Sequence, residues 1–173
     1  MTDDAPGATA WKEHTSAFDR VRSIAITLGQ PRSADWIADQ ALVAGNTARD
    51  HLDRLVEMNV LRTVQGDQAL LYQPDPLYRR MRALRDLLDS RSRDDLLELR
   101  AELQEQLEEW SERYGVESSE ELREQAAQTE TAEETRTLRK VAGDWDIVTY
   151  RLGLVEDAIE HYSDYTGAAS APA

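Results

Sequence analysis

The sequence predicts a mainly α-helical chain with one small β-hairpin, set between three short helices and a long helical C-terminal region. Three observations carry this expectation. Apolar residues recur at three-to-four spacing in successive short segments before residue 60. Two β-capable runs flank a glycine-containing turn near Gly66. Between Leu138 and Tyr162 the apolar positions step by 3, 4, 3, 4, 3, 4 and 3, an a/d seam sustained over three and a half heptads.

Taken in order, residues 1–12 read as a flexible N-terminal tail of small and polar groups. A first helix is expected over about Thr15 to Leu28, with Phe18, Val21, Ile24, Ala25 and Leu28 on one face; Gly29-Gln30-Pro31 ends it. Ser33 is a good N-cap for a second helix to about Leu42, burying Ile37, Ala38 and Ala41 with Trp36 at the edge. After the short turn Val43-Ala44-Gly45, Asn46 is expected to cap a third helix to about Met58, with Ala48, Leu52, Leu55 and Val56 inside. Asn59 can take the left-handed conformation that closes it. The hairpin pairs residues 61–65 with 68–72, and Pro74-Asp75-Pro76 stops the sheet. Asp75 then caps a fourth helix with Pro76 at its first position, and Leu77, Met81, Leu84 and Leu88 form its buried stripe. A fifth helix runs from about Arg93 to Tyr114 and ends at Gly115. A short one starts at Ser118 or Ser119 and reaches about Gln128. The last runs from about Ala132 to Tyr165, and residues 167–173 form a second flexible tail.

Composition narrows the class. The 173 residues include no cysteine, which excludes disulfides and thiolate metal sites. No apolar run approaches the ~18 residues of a membrane span, and no signal-peptide pattern opens the chain, so a cytoplasmic protein with no membrane partner is expected. Acidic residues number 34 against 20 basic ones, for a net charge of −14, and 18 of the bases are arginine. Taken whole, that charge argues against nucleic acid. It is unevenly spread: −4 over residues 1–75, +2 over 76–100 and −12 over 101–173. Such an acid-rich, lysine-poor surface resembles proteins of haloarchaeal cytoplasm, where carboxylates keep the surface hydrated and the Debye length falls to about 3 Å at 1 M salt. An acidic protein from a GC-rich mesophile has the same arginine bias.

Three helices followed by a hairpin within residues 15–73, with about four residues between the second and third helices, is the order of a winged helix-turn-helix. The stretch Ser33-Ala34-Asp35-Trp36-Ile37-Ala38, the run Asn46-Thr47-Ala48-Arg49-Asp50-His51-Leu52-Asp53-Arg54-Leu55-Val56 and the pair Leu61-Arg62 resemble winged-helix regulators of the broad ArsR/MarR-like group. The likeness covers about a third of the chain; the layout with its acidic helical tail is similar to small haloarchaeal winged-helix regulators. It implies a DNA-binding domain over residues 13–75 and a helical dimerisation region, a coiled coil or bundle, over 76–166. Double-stranded DNA and a second copy of the chain are the implied partners.

If the third helix enters the major groove, Asn46, Asp50 and Asp53 point away from the core, flanked by Thr47, Arg49 and Arg54. Arginine suits guanine O6/N7, asparagine adenine N6/N7, and aspartate can accept from cytosine N4. Arg62, at the hairpin base, completes the expected DNA-binding set of Asn46, Thr47, Arg49, Asp50, Arg54 and Arg62. Alternatively these are solvated helix residues, with Arg49 and Asp53 forming an i,i+4 pair. Two features weaken the likeness: Asp50 and Asp53 would face phosphates, and the hairpin tip carries no base. Arg79, Arg80, Arg82 and Arg85 read as a solvated face pairing with acids, or as a phosphate-contacting patch.

The long seam cannot be buried by one helix alone. Leu138, Val141, Trp145, Val148, Leu152, Val155, Ile159 and Tyr162 are the expected dimerisation residues, and Ile147, Tyr150 and Leu154 add a second apolar face, which suggests contact on two sides, with the fourth and fifth helices of its own chain and with a partner chain; the alternative is an intramolecular helical bundle in a monomer. No cofactor or metal is expected, and no enzyme: His14, His51 and His161 are scattered, and there is neither a P-loop nor a GxGxxG. Two alternatives stand beside the regulator reading. One is a winged-helix interaction or assembly module without specific DNA binding. The other is a ligand-sensing regulator with an effector pocket among Trp110, Tyr114, Trp145 and Tyr150, although aromatics at helical spacing are more often core.

Overall fold

The computed structural model describes residues 14–67 and 69–167; the expected N-terminal tail, Gln68 of the hairpin tip, and the expected C-terminal tail beyond Gly167 lie outside these. Among the described residues the chain is mainly helical with a small three-stranded antiparallel sheet. It forms two compact units that divide after Met81, inside a helix rather than at the 75/76 boundary expected from the sequence.

The first unit contains α1 (Ala17–Ile26), β1 (Arg32–Ser33), α2 (Ala34–Ala41), α3 (Gly45–Glu57), β2 (Leu61–Gln65), β3 (Leu70–Pro74) and the beginning of α4 (Pro76–Ser90). Short polar side chains fix the helix starts. The Ser16 hydroxyl accepts from the Asp19 amide at 3.1 Å and that of Ser33 from Trp36 at 3.3 Å, so each satisfies one of the four amides a helix start leaves unpaired. Asp75 does the same for α4, its Oδ1 accepting from Leu77 and Tyr78 at 2.8 and 3.1 Å behind Pro76. Asn59, at φ +57°, closes α3 in the left-handed region, as the sequence implied.

The α2 terminus is less ordinary. Leu42 sits at φ +54°, ψ +48°, a conformation that costs an L-residue with a Cβ about 1–2 kcal/mol. It is held because Val21, Ala25, Ile37, Ala38, Ala41, Ala48, Leu52 and Leu55 form one nearly sealed core in which α1, α2 and α3 pack on each other. Arg20, also buried, donates from Nε to the Ala41 carbonyl at 2.9 Å, filling an acceptor that the end of α2 leaves open.

The sheet runs in the order β1-β3-β2. Two residues of β1 pair with β3 (Arg32 with Tyr72, Ser33 with Leu71), a strand too short to leave a sequence period. The second hairpin strand begins two residues later than the expected 68–72 and takes in Pro74, which lies opposite Leu61 at the end of the ladder. At the tip the Gly66 amide donates to the Ala69 carbonyl at 3.0 Å, and a Cβ on Gly66 would lie 2.8 Å from that oxygen. The turn therefore needs glycine on grounds of space.

The second unit contains the rest of α4, α5 (Arg93–Tyr114), α6 (Ser119–Gln128), α7 (Ala132–Glu160) and α8 (Tyr162–Thr166). Helix α5 has the bounds the sequence predicts. Ser92 and Asp95 form a reciprocal capping box at its start, and Gly115 at φ +63° ends it. The single long last helix is corrected: it breaks at His161, whose Nδ1 lies 3.2 Å from the Asp157 carbonyl and 3.1 Å from its carboxylate. The carbonyl contact, ahead of the nearby carboxylates, raises the His161 pKa above 6.5. Among the described residues no helix is long and apolar enough to cross a membrane.

The fourth-helix stripe is also corrected. Leu84 and Leu88 join the second unit's core, but Leu77 and Met81 are 66% and 58% exposed. Tyr78, not Leu77, packs against the first core, so the buried face of α4 changes along its length. Leu52→Ala, at a sealed position, should lower unfolding stability by about 2–5 kcal/mol. Met58→Ala, at an exposed one, should change it by less than about 0.5 kcal/mol. Urea titrations followed by circular dichroism compare the two.

Candidate functional site

The outer face of α3 is the candidate site. Burial of Ala48, Leu52 and Leu55 turns the opposite side outward, and Asn46, Arg49, Asp50, Asp53 and Arg54 are all exposed while Thr47 is half-buried. The predicted cap is corrected. Ala44 takes the N-cap position without a side-chain hydrogen bond and Gly45 starts the helix, so Asn46 stands within the first turn. That frees its amide. Asn46 Oδ1 accepts from Arg49 Nη1 at 3.2 Å.

Arg49 does not pair with Asp53. Its Nη2 reaches across the turn between α2 and α3 to Asp35 Oδ1, at 2.5 Å, with side-chain exposures of 47% and 73%. Asp53 instead accepts from the Tyr72 hydroxyl at 3.1 Å, joining α3 to β3. Burial, and then the Asp53 hydrogen bond and charge, push the Tyr72 pKa above its usual 10.0. Arg54 turns toward α1: its guanidinium lies 5.1 Å from the centre of the Phe18 ring, which also meets His51 edge-on at 5.5 Å. Arg62 lies opposite Gln73 in the hairpin ladder. With the Gln73 amide turned so that its oxygen accepts, Arg62 donates to it from Nε and Nη2 at 2.6 and 2.8 Å.

Of the six predicted residues, the fold therefore brings Asn46, Arg49 and Asp50 onto one outward patch with Thr47 beside them. Arg54 and Arg62 are committed to neighbours within the unit. Reading the sequence missed Asp35, fourteen residues from its partner, because a contact across a turn leaves no helical spacing to find. Arg79 is exposed, as on a solvated face, but its partner is a carbonyl and not an acid. It donates from Nη2 to the Leu28 carbonyl, back at the end of the α1 segment.

In the second unit the expected dimerisation residues meet their own chain. Leu138, Val141 and Trp145 pack with Leu107, Trp110, Tyr114, Val116 and Leu122; Val148, Leu152, Val155, Ile159 and Tyr162 pack with Leu84, Leu96, Leu99 and Leu103. Leu154 is buried too, whereas Ile147 and Tyr150 are 65% and 52% exposed. Trp110 and Trp145 meet at 5.8 Å with their rings tilted by 32°, and Tyr114 packs beside them, so three of the four aromatics suggested for a pocket pack on one another. A groove of about 590 Å³ passes Trp145 between Glu108, Ser111, Ser119 and Asp146. There Ser119 and then Arg123 hold the Asp146 carboxyl below the usual carboxylate range.

The chain belongs to a family of unknown function, DUF7342, whose profile matches residues 15–164 and so takes in both units. No curated protein matches the chain.

The Tyr72 shift carries a sign. A phenol whose pKa is raised by folding contributes stability that is complete below its unfolded value near 10, and is lost as pH rises through the folded value. An alkaline absorbance titration should therefore include a tyrosine step above pH 10, and Asp53→Asn should bring that step to lower pH.

Proposed function

We propose that the protein is a sequence-specific, double-stranded-DNA-binding regulator that reads DNA with α3 as the recognition helix of a winged helix-turn-helix and acts as a homodimer. One observation carries the reading. Helices α2 and α3 are joined by a three-residue turn and locked by a shared core, and the side of α3 facing away from that core begins with Asn46, Thr47, Arg49 and Asp50. These are hydrogen-bonding groups at the end of the helix that a helix-turn-helix presents to base edges. The antiparallel β2–β3 hairpin follows directly, where a wing belongs.

The electrostatics set the manner of binding. Asp35 pairs with Arg49, and Asp50 and Asp53 are exposed on the same helix as Arg49, so phosphate attraction is weak and counterion release contributes little. Affinity rests on base contacts, shape and bound water, and binding should depend only weakly on salt. The helical unit supplies the dimer contact. Since its own chain fills the seam, Ile147 and Tyr150 on α7 are exposed apolar groups that this unit offers to a second copy.

A second reading has its own support. The same acidic surroundings, with Arg54 and Arg62 turned to internal partners, suit a winged helix that binds a protein in place of DNA.

Selection from a random duplex library in molar KCl separates the two. The regulator should enrich one motif and Arg49→Ala should lose that enrichment at unchanged helicity; equal retention of all sequences by both proteins would favour the interaction module. In sedimentation equilibrium at micromolar concentration the homodimer should run at twice the chain mass of 19.6 kDa, and a monomer mass would rule the dimer out.

A further inference from the structure

We propose that Asp35 is a positioning residue for Arg49, with Gly45 leaving the space for their contact, and that this pair sets the base preference of α3; the inference rests on the DNA-binding reading above. Two acceptors hold the guanidinium on two different nitrogens: Asp35 Oδ1 on Nη2 at 2.5 Å and Asn46 Oδ1 on Nη1 at 3.2 Å. One acceptor sits on α2 and the other on α3, so the plane of the group is fixed against both helices. An arginine has five N–H donors. Two are spent here, and three remain for an outside acceptor such as the O6/N7 edge of guanine, where a planar fork gives geometric selectivity.

Gly45 provides the room. A Cβ there would lie 3.3 Å from Asp35 Oδ1 and 3.6 Å from Arg49 Nη1, closer to the carboxylate than most side chains tolerate. The bare backbone at the start of α3 spares that exposed carboxylate a shift of a few tenths of an ångström and lets it meet Arg49 unhindered.

The pair is poorly placed to stabilise the fold. Both members are exposed, where ion pairs contribute little, and α2 and α3 are already joined through Ala38, Ala41, Ala48 and Leu52. Its charge also works against DNA affinity in general, since a carboxylate beside the reading face repels phosphate. What remains is orientation. An arginine free to swing contacts phosphates and bases alike, whereas a held one meets only the base that fits.

Two measurements should move in opposite directions. In Asp35→Ala and Asp35→Asn, affinity for unrelated duplex should stay level or rise, because a repelling charge is gone. The ratio of motif to unrelated affinity should fall about fivefold or more, the low end of what one bidentate arginine contact discriminates. Both ratios are read by fluorescence anisotropy at low ionic strength, where dissolved ions compete least for the pair, on the motif that the wild type enriches, with thermal melting as a control. An unchanged ratio overturns the inference and leaves the DNA-binding reading standing. So does a parallel fall in both affinities with a lowered melting point in both variants, which would mark Asp35 as structural. A wild type that enriches no motif overturns the DNA-binding reading, and this inference with it.

Discussion

The close packing of small residues between α1, α2 and α3 is the constraint on which the candidate site depends. Ala25, Ala41 and Ala48 have no exposed surface. Each occupies a position where a larger side chain would drive two helices apart, because protein interiors leave no spare volume to absorb it. That approach fixes the rotation of α3 about its own axis, and the rotation decides which of its polar residues face outward. It also forces the tight exit from α2, where Leu42 accepts a left-handed backbone so that the chain can return at once into α3. The reading face is set from behind, by alanines that never touch it.

Legibility in the sequence followed the range of the interactions involved. Helix α5 could be bounded to the residue because its limits are local: a serine and an aspartate that hydrogen-bond each other's backbone, and a glycine that adopts positive φ. Asp75-Pro76 and Asn59 were readable for the same reason. The features that escaped are decided elsewhere in the chain. Strand β1 exists only because Tyr72 and Leu71 lie beside it. Leu77 and Met81 share the spacing of Leu84 and Leu88, yet they lie where α4 presents Tyr78 to the first core instead. Asn46 is a good cap by composition and lost the position to Ala44, whose backbone is placed by the tertiary turn. Within the candidate site, the outward residues were legible from helical period. Their partners were not, since Asp35, Phe18, Tyr72 and Gln73 approach from other elements.

The long seam teaches a related lesson. A strict 3-4 repeat tells that a helix has an apolar stripe to cover, and says nothing of whose residues cover it. Here α5, α6 and the later turns of α4 supply the cover, and the repeat serves a bundle within one chain. Heptad spacing survives because helices packed at shallow angles within a bundle meet through the same knobs and holes as helices of two chains.

Two kinds of arginine contact in this chain differ in their sensitivity to the medium. Arg20 is buried, and its bond to the Ala41 carbonyl lies out of reach of mobile ions. Arg49 and Asp35, and likewise Arg123 and Asp146, meet at the surface, where dissolved ions compete for both partners. Raising the ionic strength therefore leaves the joint between α1 and the end of α2 untouched while loosening the outer pairs. The scaffold and the surface it carries answer to separate variables, so the polar face can be retuned, by substitution or by a change of salt, without renegotiating the fold beneath it.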